Sequence, residues 1–78
     1  MRMIDIGFGS LVAAEKILAV VSPDSSPVKR TVQEAREKGK LIDATYGRKT
    51  ESVIITESDH VILSAYNTDK MAEKMAGE

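Results

Sequence analysis

Cysteine is absent from this 78-residue sequence, histidine occurs once, tryptophan is missing, and Phe8, Tyr46 and Tyr66 are the only aromatic rings. Without cysteine there is no disulfide and no usual zinc ligand set, and one histidine cannot anchor a structural metal alone. The length leaves room for one core, so residues 1–78 are expected to form a single domain. Domains of about 60 residues bury only about 60% of the surface their unfolded chains expose. Disulfides, metals and self-association are the common remedies, and self-association is the one left open here. No apolar run approaches the roughly 20 residues a membrane helix needs. The start Met1-Arg2-Met3-Ile4-Asp5 lacks the apolar stretch of a signal peptide. The expected location is the cytoplasm.

A surplus of one charge is lacking too. The formal net charge is −1, which argues against a generic basic nucleic-acid binder. Residues 16–49 nevertheless carry eight cations against four acids, and residues 50–78 carry two cations against six acids. Such a chain can present two faces of opposite sign, or a mixed surface with no polarity.

The residues that are present spell out short elements. Ile4, Ile6 and Phe8 alternate with Asp5 and Gly7, as in a half-buried strand, and Gly7 and Gly9 bracket Phe8 at a bend or bulge. Leu11–Ala14 fits a helix or a strand, but Ile17–Val21 is β-rich, which favours two strands with a turn near Glu15-Lys16. Ser26 is a good helix N-cap and Pro27 suits a first helical position. Val28, Val32 and Ala35 share one face of that helix, and Gly39 stops it. Leu41, Ile42, Ala44 and Tyr46 predict a strand, followed by the loop Gly47-Arg48-Lys49-Thr50. Ser52–Thr56 and His60–Ala65 predict a hairpin across Ser58-Asp59. Asn67 or Thr68 can cap a last helix with an apolar stripe of Met71, Ala72 and Met75. The fold class is therefore α+β: a small, mostly antiparallel sheet of about six short strands, with a central and a C-terminal helix. Runs this short leave little room for βαβ crossovers.

Catalytic chemistry finds no footing. His60 follows Asp59 at a hairpin return, where the pair is turn chemistry more often than a catalytic dyad. Ser22, Ser25 and Ser26 lie beside a helix start, where hydroxyls cap backbone N–H groups. Gly7-Phe8-Gly9 lacks the third glycine of a dinucleotide loop and the Lys-Ser/Thr of a Walker A loop. No enzyme activity, cofactor, metal or small-molecule substrate is expected. Arg48 and Lys49 are different, since binding residues commonly lie in loops on a rigid sheet. Arg48, Lys49 and Thr50 can each meet a phosphate oxygen, and Arg48 can also reach a base edge or a narrow minor groove. The same residues would equally make a solvated turn. A single pair of cations binds weakly, so the DNA reading requires protomers to combine their loops.

Four stretches carry a resemblance: Ile6-Gly7-Phe8-Gly9, Val21 to Arg30 with its Ser-Pro-Asp-Ser-Ser-Pro core, Leu41 to Arg48, and Ser58 to Ala65. In order and spacing, from about residue 4 to residue 66, they resemble the RemA family of bacterial matrix-gene regulators. The resemblance implies a DNA-binding transcriptional regulator at the nucleoid that, in spore-forming bacteria, switches on biofilm-matrix genes. It further implies a ring-like homo-oligomer that contacts or wraps duplex DNA, and a fold similar to the β-rich LytTR domain. By position, the family's basic pair falls on Arg48 and Lys49, and Lys16 matches a family arginine. Lys49 departs from the typical Arg-Arg, and Glu51 stands where a further basic residue often follows. Lys29 and Arg30 are expected phosphate or subunit contacts. The alternative is a protein-interaction module using the acidic tail and a sheet edge. RNA binding is disfavoured because three aromatics are few for a stacking platform.

Overall fold

The computed structural model describes residues 2–77. β1 (Met3–Gly7) and β2 (Ser10–Ala13) form an antiparallel hairpin with Ile4 opposite Val12 and Asp5 opposite Leu11. Ile4 and Ile6 are buried as the alternation predicts, whereas Phe8 leaves the strand and is 46% exposed. Gly7, Phe8 and Gly9 all have positive φ (109°, 55° and 80°), so the chain reverses there. A 3₁₀ turn at Ala14–Lys16 leads into β3 (Ile17–Val21), which agrees with the expected strand, turn and strand.

α1 (Ser26–Glu37) starts one residue earlier than expected. The cap is Ser25 rather than Ser26, its Oγ accepting the Val28 N–H at 3.3 Å. Pro27 then sits second in the helix, still in the first turn, where an absent N–H costs nothing. At the other end Gly39 takes φ 74°, its N–H reaches the Arg36 carbonyl, and the Lys40 N–H reaches the Ala35 carbonyl at 2.8 Å. These paired bonds satisfy carbonyls that the helix end leaves free.

β4 (Leu41–Asp43), β5 (Ser52–Thr56) and β6 (Val61–Ser64) join β3 in a second sheet of order β3-β5-β6-β4. β3–β5 and β5–β6 are antiparallel, while β4 lies parallel to β6. Two expectations are corrected here. β4 ends at Asp43, because Ala44 and Thr45 turn inward and Tyr46 adopts φ 55°. A βαβ crossover does exist: β3 and β4 run parallel on opposite edges, linked over two strands by α1. Twelve helical residues span about 18 Å, enough to return the chain along a five-residue strand of about 17 Å.

The four-stranded sheet buries both faces. Val53, Val61 and Leu63 meet Ala35, Val28 and Val32 under α1. Ile54 and Ile62 meet Ile4, Ile6, Ala44 and Met71 on the other side, where the β1–β2 hairpin and α2 (Thr68–Gly77) dock. Alternation along β5 and β6 thus feeds two clusters from one sheet. In α2, Asn67 Oδ1 caps the Lys70 N–H at 2.8 Å. Met71 is buried and Met75 packs at the margin, but Ala72, about 100° round the helix, faces solvent. Among the described residues no helix is long and apolar enough to cross a membrane.

Candidate nucleic-acid interface

The segment from Ala44 to Glu51 closes one end of the sheet, and Asp43 starts it. Asp43 Oδ1 accepts the Thr45 N–H at 2.9 Å and the Thr45 hydroxyl at 2.6 Å. Tyr46 and Gly47 follow with φ 55° and 83°, and the Arg48 N–H donates to the Thr45 carbonyl at 3.1 Å. That is a tight turn with both central residues left-handed, which projects Tyr46 and Arg48 outward. The Glu51 N–H then donates to the Ser64 carbonyl and returns the chain to the sheet.

The β1–β2 turn is braced in the same manner. Asp5 Oδ1 accepts the Gly7 N–H at 2.8 Å, while Oδ2 accepts the Tyr66 hydroxyl and Lys74 Nζ, each at 3.2 Å. Ser64 Oγ ties the base of this turn to the sheet by donating to the Ile6 carbonyl at 2.9 Å. The two turns meet at their tips. The Phe8 and Tyr46 rings lie 5.5 Å apart and tilted by 43°, and the Arg48 guanidinium rests 5.2 Å above the Phe8 ring. Tyr46 is 70% exposed. A guanidinium on an aromatic face is held in place while its N–H groups stay free for an anion.

Both bracing aspartates are held below the usual carboxylate value of 3.8. The Gly7 N–H is the main cause at Asp5, followed by the Lys74 ammonium, with partial burial opposing both. The Thr45 hydroxyl and N–H do the same at Asp43, and Arg36 adds a smaller pull. A depressed folded pKa contributes stability that is present above the unfolded value and is lost as pH falls through the folded one. Both turns should therefore hold throughout neutral and mildly acidic solution and loosen only below the ordinary carboxylate range. Carboxyl NMR titration should place both midpoints under 3.8. A midpoint at or above that value would mean the turn bonds are absent in solution.

The other expected site residues are distributed unevenly. Lys49 is exposed in the same loop. Thr50 lines a cleft with Lys29 and Arg36 of α1. Arg30 projects from the face of α1 opposite Val28 and Val32, away from the sheet. Lys16 lies at the far end of the sheet, beside the β5–β6 turn, where its Nζ is 3.9 Å from Glu57. Within one protomer Lys16 and Arg48 are separated by the length of β5. The His60 bonds stay within its own turn, to Ser58 Oγ at 2.8 Å and to Thr56 Oγ1.

Sequence reasoning misses Phe8, Arg36 and the two bracing aspartates. Asp5-Ile6-Gly7 and Asp43-Ala44-Thr45 do carry a signal, an aspartate two residues before a turn N–H. Nothing local indicates that the two turns will meet.

Comparison with known proteins identifies the family. A model of the family described as "RemA-like: Extracellular matrix regulatory protein A-like" matches residues 3–75. A protein of Halothermothrix orenii is 58% identical over 77 residues, covering 99% of this chain and 92% of its own length. One from Caldicellulosiruptor saccharolyticus is 60% identical over 74 residues, covering 95% and 73%. One from Geobacillus thermodenitrificans is 56% identical over 77 residues, covering 99% and 88%. All three carry the name "Putative regulatory protein". With the family match spanning nearly the whole length and relatives more than half identical, this chain belongs to the RemA-like family.

Proposed function

We propose that the protein is a DNA-binding regulator that acts as a homo-oligomer and grips duplex DNA through Arg48/Lys49 loops repeated around the assembly. The observation that carries this reading is the Arg48 guanidinium seated on Phe8 at the tip of two braced turns. A rigid loop presenting a planar cation suits a phosphate or a groove edge, and it loses little freedom on binding. The regulatory names of the relatives and the matrix-regulator description of the family support a regulatory role, which we take to be control of biofilm-matrix genes at the nucleoid.

Repetition is required by the charge balance. At a net charge of −1 one protomer cannot neutralise many phosphates, and affinity grows with their number. Exposed Met3 and Leu11 on the outer face of the hairpin, with Leu18 and Ile42 on the edge strands, supply apolar surface for self-association. Lys16, remote from Arg48 in one protomer, would serve at a subunit boundary or on DNA reached from a neighbour.

The test is light scattering of the purified protein, alone and with a long duplex, across a salt series. A discrete oligomer should take up DNA and release it steeply with salt, each neutralised phosphate adding about −0.9 to the log–log slope. A monomer that ignores duplex DNA would sink the reading. Stoichiometric capture of a protein partner without DNA would favour the protein-interaction alternative instead.

A further inference from the structure

We propose that the cleft between α1 and Thr50 seats a second backbone phosphate of the duplex held by Arg48, with Lys29 and Arg36 as its cations; the inference rests on the DNA-binding reading of that loop. The cleft has a volume of about 220 Å³. Lys29, Arg36 and Thr50 line it above an apolar floor of Val32, Val53 and Leu63. Most of the wall that the cleft exposes is apolar, and the polar side chains on it are Lys29, Arg36 and Thr50.

Lys29 and Arg36 are seven residues apart and share one flank of α1, about 10 Å along its axis. Neither has a carboxylate within 4.0 Å among the described residues. Asp43 is the acid that Arg36 acts on from nearby, and its Oδ1 is already occupied by the Thr45 N–H and hydroxyl. Two cations and a hydroxyl thus face one acid whose hydrogen-bonding capacity is partly spent. That balance favours an anion.

Continuity and size decide which anion. Thr50 belongs both to the cleft and to the segment that carries Arg48 and Lys49, so the cleft adjoins the basic loop at the end of the sheet. Two residues span at most about 7 Å, and a duplex carries one charge per roughly 1.7 Å of axis. DNA resting on Arg48 therefore brings further phosphates to Thr50. The volume is below the roughly 300 Å³ at which small-molecule pockets begin, which suits a phosphate group better than a whole metabolite.

The experiment compares duplex binding by the full-length chain, K29Q/R36Q, K38Q/K40Q and R48A across a salt series. Lys38 and Lys40 line a groove on the opposite flank with Glu34 and Asp59, so their double variant removes equal charge from the wrong side. K29Q/R36Q should bind about tenfold or more weaker on every sequence, with a salt slope shallower by roughly 0.9 for each phosphate no longer neutralised. K38Q/K40Q should bind as the parent does, and light scattering should give the same oligomer for all four. Parent-like binding by K29Q/R36Q, or an equal loss in K38Q/K40Q, would overturn the assignment. So would calorimetric binding of inorganic phosphate that depends on Arg36 while duplex affinity does not. Weaker binding by R48A with parent-like binding by K29Q/R36Q removes the cleft alone, whereas a parent chain that ignores DNA removes the loop reading as well.

Discussion

Alanine at Arg48 is expected to lower duplex affinity about a hundredfold or more while leaving fold and assembly unchanged, since removing two interactions of about 1.4 kcal/mol each already gives that factor. A charge-assisted hydrogen bond is worth about 1.5–3 kcal/mol, so removing one from each of two adjacent protomers suffices. The structural cost is small, because the side chain is exposed and the turn uses only the Arg48 backbone N–H, which alanine retains. Arg48→Lys should fall between the two, keeping charge but forfeiting the planar fork and much of its stacking on Phe8. Phe8→Ala should also be intermediate, because it removes the support and leaves the charge. Fluorescence anisotropy with a labelled duplex, paired with light scattering, reads all three. Parent-like binding by Arg48→Ala would remove this loop as the DNA-gripping element.

The largest stability effect is expected at Ile54. This side chain is fully buried on β5, an interior strand, opposite Val20 on β3 and Ile62 on β6. It lies on the face where the β1–β2 hairpin and α2 dock, so a void there loosens three elements together. Ile→Ala in a core costs about 2–5 kcal/mol. A domain of this length holds only about 4–12 kcal/mol in all, at roughly 0.05–0.15 kcal/mol per residue. Ile54→Ala should therefore lose a large share of the total, read as a fall in urea midpoint at fixed chain concentration. A loss under about 1 kcal/mol would mean that the two layers are not packed through this residue.

What is legible in the sequence is what local physics controls. Gly39 and the Val28, Val32 and Ala35 stripe specify α1 to within a residue, and the alternation around Ser58-Asp59 specifies the β5–β6 hairpin. Ala44 and Tyr46 continue the apolar alternation of β4, so the pattern carries the expected strand past its true end at Asp43. The Asp43–Thr45 bonds and the left-handed Tyr46 break the strand regardless. Short strands argue against a crossover, yet the length of the helix is what sets the span. At the candidate site, Arg48, Lys49 and Thr50 stand out from loop composition. Their support by Phe8 does not, because it depends on two turns far apart in sequence being brought together by the packing of a hairpin on a sheet. Lys16 shows the converse, a basic residue placed at the far end of the sheet by ordinary strand geometry.

The left-handed backbone at Phe8 and Tyr46 bears on how selection acts on this chain. A side chain other than glycine, asparagine or aspartate in that region costs about 1–2 kcal/mol, a sum that small domains shed readily when only stability is at stake. Glycine at both positions would make the turns easier to form and would leave Arg48 with nothing to rest on. Drift toward a more robust chain and retention of a poised arginine therefore pull in opposite directions at these two residues. In a relative that has given up its ligand, they are where change should appear first.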